Sequence, residues 1–318
     1  MTEQTTNLFG PVAGDLATVE SELRQQIQRD PPEVAGPMAD LFEAGGKRIR
    51  PALVLLSAMS GRYDLARLVP AAMAVELTHA ATLVHDDVID RAKMRRGRPT
   101  IASTLGDEPA IVIGDFYFAK AYELAAITAQ PEVVAILART VMGICAGEVR
   151  QQSIRYRYST DVGEYMRRIE AKTALLVAAC CDIGGLLGGL DGERRAALRG
   201  YGRELGLAFQ IADDVLDYVS TEGEVGKPIG HDIAEGFATL PLMLSSVEIE
   251  DGRRLDEQEA RRIADAVRKS DRKCGARSIE QARPRRGCRC ARVANGLRGQ
   301  PKPLICLPMS RVGMGVVA

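Results

Sequence analysis

The sequence predicts an all-α fold, and three observations lead there. Apolar residues recur at helical spacing through long segments free of glycine and proline, such as Ala71 to Asp90. No alternating run of strand type and no strand–helix–strand rhythm is found. The pattern Asp-Asp-x-x-Asp occurs twice, as Asp86-Asp87-Val88-Ile89-Asp90 and Asp213-Asp214-Val215-Leu216-Asp217, each after a mostly apolar segment. On a helix the outer aspartates of each copy lie one turn apart on one face.

In chain order, residues 12–29 form a first amphipathic helix, ended by Pro31-Pro32. A second apolar run, Ala52 to Met59, follows Gly45-Gly46 and Pro51. Pro70 opens the long run Ala71 to Asp90, and Gly97, Pro99, Gly106 and Pro109 mark the loop after it. Further helical patterns cover Ala110–Ala129, Glu132–Tyr156, Val162–Leu187, Gly192–Val219 and Phe237–Glu248. Helices of this length pack as a bundle around a central cavity. The pattern fails near residue 270, which sets a helical domain over 1–270 and an irregular tail over 271–318.

Composition narrows the class. The 318 residues carry 42 Lys+Arg against 42 Asp+Glu, an even balance typical of a soluble protein. The balance hides an asymmetry, because from Asp271 onward 11 basic residues face 2 acidic ones, so the body is acidic and the tail basic. The tail is either a basic, poorly ordered extension or the product of a reading-frame shift that replaced the final helices; the abrupt change in composition favours the second. No recognition motif accompanies its charge, so nucleic acid is not an expected partner. Met1 to Gly10 lacks a basic flank and an apolar core and does not read as a signal peptide. The best apolar stretch, Leu175 to Leu190, is broken by Asp182 and glycines and is too short to span a bilayer, so no transmembrane segment is expected and the location is cytoplasmic. The seven cysteines form no disulfide framework; Cys145, Cys180 and Cys181 sit in apolar runs, and Cys288-x-Cys290 lacks zinc spacing.

Carboxylates in apolar helices are costly unless cations neutralise them. Two carboxylate pairs suit Mg²⁺, which keeps several waters and binds substrate phosphates as well. A polyanionic ligand then calls for basic groups. Gly45-Gly46-Lys47-Arg48-Ile49-Arg50-Pro51 puts three cations on a glycine-preceded turn entering a helix, a phosphate-friendly arrangement without the P-loop spacing. Arg95-Arg96 offers two guanidiniums just after the first aspartates. His79 lies two turns before Asp86, and His85 is expected to orient the neighbouring aspartate. Lys172-Thr173, Gln210 just before Asp213, and Lys227 at a turn complete the polar set. No Ser-His-Asp or Cys-His constellation is evident.

GGKRIRP, HDDVIDRAKMRRGRPT, EAKTA, FQIADDVLD and GKPIGHD, in this order, resemble the trans-polyprenyl diphosphate synthases, over roughly residues 15 to 250. The resemblance implies an isoprenoid-synthase-type bundle of antiparallel helices around a deep cavity, usually a homodimer. It implies that isopentenyl diphosphate condenses head to tail with an allylic diphosphate, in trans geometry, with three Mg²⁺ ions per site. Asp86, Asp90, Asp213 and Asp217 would be the metal ligands. Lys47, Arg50, His79 and Arg96 would hold isopentenyl diphosphate; Arg95, Lys172, Thr173, Gln210 and Lys227 would hold the allylic diphosphate. The family's size gate falls on Ala81, with Thr78 and Ala74 one and two turns deeper, all small; this favours a medium or long product unless Met142 or Phe118 forms a higher floor. Phe237, before Thr239-Leu240-Pro241, stands where a basic residue is often found. Two alternatives are a short-chain farnesyl or geranylgeranyl diphosphate synthase and a non-catalytic subunit of a hetero-oligomeric synthase; the latter often lacks one aspartate motif. Terpene cyclases share the fold, but they usually replace the second aspartate motif and need no isopentenyl site.

Overall fold

The computed structural model describes residues 9–219, 230–245 and 247–275. They form thirteen α-helices and one short hairpin. In chain order these are α1 (Ala13–Gln28), α2 (Pro32–Glu43), α3 (Ile49–Ala58), α4 (Leu65–Ile89), β1 (Met94–Arg95), β2 (Arg98–Pro99), α5 (Ile101–Leu105), α6 (Asp107–Ile127), α7 (Pro131–Ser153), α8 (Val162–Ile169), α9 (Leu175–Leu187), α10 (Gly192–Val219), α11 (His231–Ala234), α12 (Leu240–Leu244) and α13 (Glu257–Gly275). A π-helical turn, Glu170–Ala174, separates α8 from α9. The chain divides into two compact units: the residues up to Ala146 with Thr173–Gly206, and Gly147–Lys172 with the residues from Leu207 onward.

The first unit is built around α4. It packs most extensively along α6, with α3, α1 and α9 also against it. Its buried positions, among them Ala71, Ala74, Leu77, Ala80, Ala81 and Val84, lie on every side, as expected of a core helix. By length and composition α4 is the one described helix able to cross a membrane, yet 72% of its most apolar window is buried inside the fold. The sequence had pointed to Leu175–Leu190 as the best apolar stretch; α4 exceeds it because its core alanines and valines run for 25 residues. It also begins at Leu65, five residues before the expected start, so Pro70 lies inside it and costs one backbone hydrogen bond. Helices α3 and α9 approach closely because Gly184 faces the backbone of Val54, where a Cβ would not fit. Buried Asp182 of α9 is paired with Arg195 and Arg199 of α10, at 2.9 and 3.3 Å.

In the second unit α11 packs on α13, and α12 touches both α8 and α13. Asp161 caps α8 by accepting from the Gly163 N–H at 2.8 Å. The expected helix over 237–248 is only α12, since Gly236 holds a positive φ and the chain stays extended to Thr239. Four helices were not foreseen, the short α5 and α11 and the longer α2 and α13. α2 starts on Pro32, a residue suited to a first helical position, so the prolines that end α1 also begin the next helix. α13 starts at a capping box: the Glu259 N–H donates to Asp256 Oδ1 at 2.7 Å, and the Asp256 N–H donates back to Glu259 Oε2 at 3.4 Å. It runs to Gly275, past the boundary drawn at 270; the rest of the tail, 276–318, lies outside the described residues.

Candidate active site

In the first unit the first aspartate motif occupies the last turn of α4. Asp86 and Asp90 are both half-buried, and the Asp90 N–H donates to the Asp86 carbonyl at 2.8 Å. Carboxylates at a helix C-terminus meet the negative end of the helix dipole, so this turn favours a cation beside it. The middle aspartate differs. Asp87 is 4% exposed, and Arg95 grips it with Nε at 2.9 and 3.0 Å from its two oxygens and Nη2 at 2.9 Å.

The hairpin makes that contact. Met94 pairs with Pro99 and Arg95 with Arg98, and the two loop residues Arg96 and Gly97 both have positive φ, the signature of a type I′ turn. Sequence patterning showed no strand here because the ladder is only two residues per side. His85, expected to orient the neighbouring aspartate, turns its ring toward α6. Its ring sits over Gly114 of α6, where a Cβ would run into it, with Nε2 3.0 Å from the Ile111 carbonyl and 3.6 Å from Asp115.

The basic loop before α3 sorts its three cations. Arg48 takes a left-handed backbone conformation (φ 49°) and turns inward, to Glu20 at 3.0 Å, Glu76 at 3.1 Å and the Phe42 carbonyl at 3.2 Å. It is a structural clamp. Lys47 is exposed, and Arg50 is half-buried with its Nε fully buried and without a hydrogen-bond partner. A Cβ on Gly46 would lie 2.7 Å from Arg48 Nη1 and 3.3 Å from Arg96 Nη1, so the glycine leaves room for both guanidiniums. Burial, followed by the charges of Arg50, Arg96, Arg95 and Arg48, pushes His79 well below the ordinary histidine range and keeps it neutral at pH 7. Burial also lowers Arg50, although Glu76 opposes it, and lowers Arg96, with Arg95 and Arg48 adding to the effect. Arg50, His79 and Arg96 thus form a corner with excess positive charge and an orphaned donor, which suits a diphosphate. Ala74, Thr78 and Ala81 are fully buried along α4, and the Thr78 hydroxyl donates to the Ala74 carbonyl at 2.8 Å. Phe118 packs against the core and the His85 ring, whereas Met142 is 63% exposed.

Lys172 and Thr173 lie on the π-helical turn, Lys172 exposed and Thr173 buried; such turns recur at functional sites. In the second unit Asp213 is exposed and Asp217 half-buried. The Asp217 carboxylate accepts from the backbone N–H groups of His231 and Asp232 at 3.3 and 3.4 Å. Asp214, 4% exposed, accepts from the Tyr165 hydroxyl at 2.9 Å and the Gln210 amide at 2.8 Å. Burial, then the nearby Asp232 charge, pushes the Asp214 carboxyl up to about 7 against the pull of Gln210, Tyr165 and Arg168. Arg168 stacks on Tyr165 and Phe237, with centroid distances of 5.5 and 5.6 Å, and donates to the Ala238 carbonyl at 2.6 Å. Sequence reasoning missed Tyr165 and Arg168; Tyr165 falls on the apolar face of α8 and reads as core. Lys227 lies outside the described residues.

Among the described residues no group of three or more His, Cys, Asp or Glu side chains forms a ready-made metal site. In each motif the middle carboxylate is buried and the outer two are more exposed. That donor set fits Mg²⁺, which retains waters and shares its remaining positions with phosphate oxygens.

Comparison with known proteins agrees with this chemistry. Residues 31–275 match the model of the polyprenyl synthetase family. The chain is similar to heptaprenyl diphosphate synthase component 2 of Geobacillus stearothermophilus, 43% identical over 236 residues, 74% of each chain. It is similar to a short chain isoprenyl diphosphate synthase of Methanothermobacter thermautotrophicus, 37% identical over 266 residues, 82% of this chain and 80% of the relative. The crystal structure of a polyprenyl synthase from Caulobacter crescentus, complexed with calcium and isoprenyl diphosphate, superposes with a TM-score of 0.78 at 36% identity, covering 84% of each chain.

Proposed function

The chain belongs to the polyprenyl synthetase family, and on that premise we propose that it is a Mg²⁺-dependent prenyltransferase that joins isopentenyl diphosphate to an allylic diphosphate and releases a medium- or long-chain polyprenyl diphosphate. The observation that carries the reading is the cationic corner of Arg50, Arg96 and neutral His79, with the buried, unpartnered Arg50 Nε. Isopentenyl diphosphate is the ligand assigned to this corner, together with the exposed Lys47.

The allylic diphosphate is assigned to Arg95, Lys172, Thr173, Gln210 and Lys227. Asp86 and Asp90 would hold metal from the first motif, Asp213 and Asp217 from the second. Bound with the diphosphate, Mg²⁺ supplies positive charge that stabilises it as a leaving group. The allylic C–O bond breaks and its electron pair leaves with the diphosphate. The isopentenyl double bond then forms the new C–C bond, and a proton is lost to the released diphosphate. His79, held neutral, serves as a hydrogen-bonding group and not as a charge. The protein's remaining task is to position charge and exclude water, so no side-chain nucleophile is required.

The short-chain relative supports a second reading of product size. The component 2 relative supports a second reading of assembly, in which this chain works with a different subunit. Retention of both aspartate motifs favours an active subunit in either case. Ile111, Val112 and Ile127 of α6 and Met142 of α7 are exposed apolar side chains in the first unit and offer a subunit surface; a second copy of this chain is the occupant proposed. A cytoplasmic location belongs to the same reading, supported by the burial of α4.

The deciding experiment incubates the purified chain with isopentenyl diphosphate, farnesyl diphosphate and Mg²⁺, sizes the products by chromatography, and measures mass in solution. Elongated products from a dimer are expected. A cyclic hydrocarbon, or no product from a folded dimer, would defeat the reading.

A further inference from the structure

The two aspartate motifs bury their middle carboxylate in different company. Asp87 has a guanidinium, whereas Asp214 has two neutral donors, one on each oxygen. At 4% exposure Asp214 has no room for a hydrated cation, so its contacts must be explained otherwise. The Tyr165 hydroxyl reaches Oδ2 from α8, and Gln210 reaches Oδ1 from one turn earlier on α10. Tyr165 is itself immobilised. Its ring is fully buried, and the Arg168 guanidinium covers it while donating to the Ala238 carbonyl.

We propose that Tyr165 is a positioning residue for the second aspartate motif: by holding Asp214 it fixes the rotation of α10 at this turn, and with it the direction in which Asp213 presents its carboxylate. The proposal rests on the reading of the second motif as a metal and diphosphate site. Asp213 immediately precedes Asp214, about 100° around the helix, so an anchor on one sets the bearing of the other. Asp217, one turn further, is fixed by its own contacts to the His231 and Asp232 backbone. Asp213 is the exposed carboxylate of the three. Gln210 holds the other oxygen of the same carboxylate. Outer partners of a metal site change metal affinity by roughly 10–100-fold when removed; Tyr165 acts through Asp214, which is the neighbour of a ligand and not itself one.

The test compares the full-length wild-type chain with Tyr165→Phe and Asp214→Asn. Calorimetry measures binding of inorganic pyrophosphate in the presence of Mg²⁺, steady-state kinetics gives the half-saturating Mg²⁺ and the KM for isopentenyl diphosphate, and thermal unfolding reports folding. Tyr165→Phe is expected to weaken Mg²⁺-dependent pyrophosphate binding by roughly 10–100-fold and to raise half-saturating Mg²⁺, with KM for isopentenyl diphosphate unchanged. A merely structural hydroxyl would lower the fraction of active protein and leave both affinities intact, and that result overturns the proposal. Asp214→Asn leaves one acceptor oxygen where two are used and so loosens the same anchor without removing a residue assigned to the diphosphate; it reports if the tyrosine variant does not fold, and failure of both to fold also overturns the proposal, because positioning must be separable from folding. A wild-type chain that neither binds pyrophosphate with Mg²⁺ nor elongates defeats the parent reading and this one together. Tight binding by wild type and variants alike defeats this one alone.

Discussion

Replacing Arg95 with methionine removes the cation from buried Asp87 while keeping a side chain of similar length. Asp87 loses three contacts between 2.9 and 3.0 Å and remains a carboxylate at 4% exposure. Breaking a fully buried ion pair from one side costs about 3–5 kcal/mol. The Arg95 side chain is 25% exposed, so water shares part of its charge and the expected loss is lower, about 2–3 kcal/mol. Asp87→Asn in the same background should recover part of it, because a neutral amide is cheaper to bury than a charge that has lost its cation. Urea unfolding of wild type, both single variants and the double variant closes the cycle. A coupling energy below about 0.5 kcal/mol would refute the claim that this pair holds the hairpin to the end of α4.

Three further outcomes are expected. Chelation of Mg²⁺ should abolish turnover, and Asp86→Ala or Asp213→Ala should lower it by orders of magnitude; Asp217→Asn should cost less, since that carboxylate already serves the backbone of His231 and Asp232. The His79 pKa lies below its unfolded value, so the unfolded chain takes up the proton first, and the stability His79 contributes is present above pH 6.5 and lost as pH falls below it; His79→Gln should flatten urea-measured stability against pH in that window, and an unaltered slope would contradict it. Ala81→Phe should shorten the product without loss of stability if a chain-accommodating tunnel passes α4, whereas a close-packed site would answer with about 1–3 kcal/mol of destabilisation and an unchanged product distribution.

What the sequence revealed followed from periodicity. Helix α4 and the outer aspartates were legible because spacing alone places Asp86 and Asp90 on one face. What it concealed depended on single backbone conformations. Arg48 is indistinguishable from Arg50 in a run of cations until a left-handed φ turns it toward Glu20 and Glu76. Arg95 became a partner for Asp87 only through the I′ turn at Arg96-Gly97, where an arginine occupies a position that usually favours asparagine, aspartate or glycine. The π-helical turn under Lys172 left no trace in the apolar pattern, which reads as one continuous helix from Val162 to Leu187. Helix α13 had a usable signal in Asp256-x-x-Glu259, but its charge-rich surface masked it.

The same five-residue motif therefore builds two different electrostatic settings. At Asp87 a guanidinium supplies full charge compensation within the first unit, so the outer carboxylates of α4 stand beside an already neutralised neighbour. At Asp214 only neutral donors are present, the Asp232 charge opposes ionisation, and the carboxyl sits near 7. The middle carboxylate of the second motif thus lacks the counterion that Arg95 builds in beside Asp87. Identical letters in the sequence conceal this difference, because it is made by Arg95, Tyr165 and Gln210, none of which belongs to either motif.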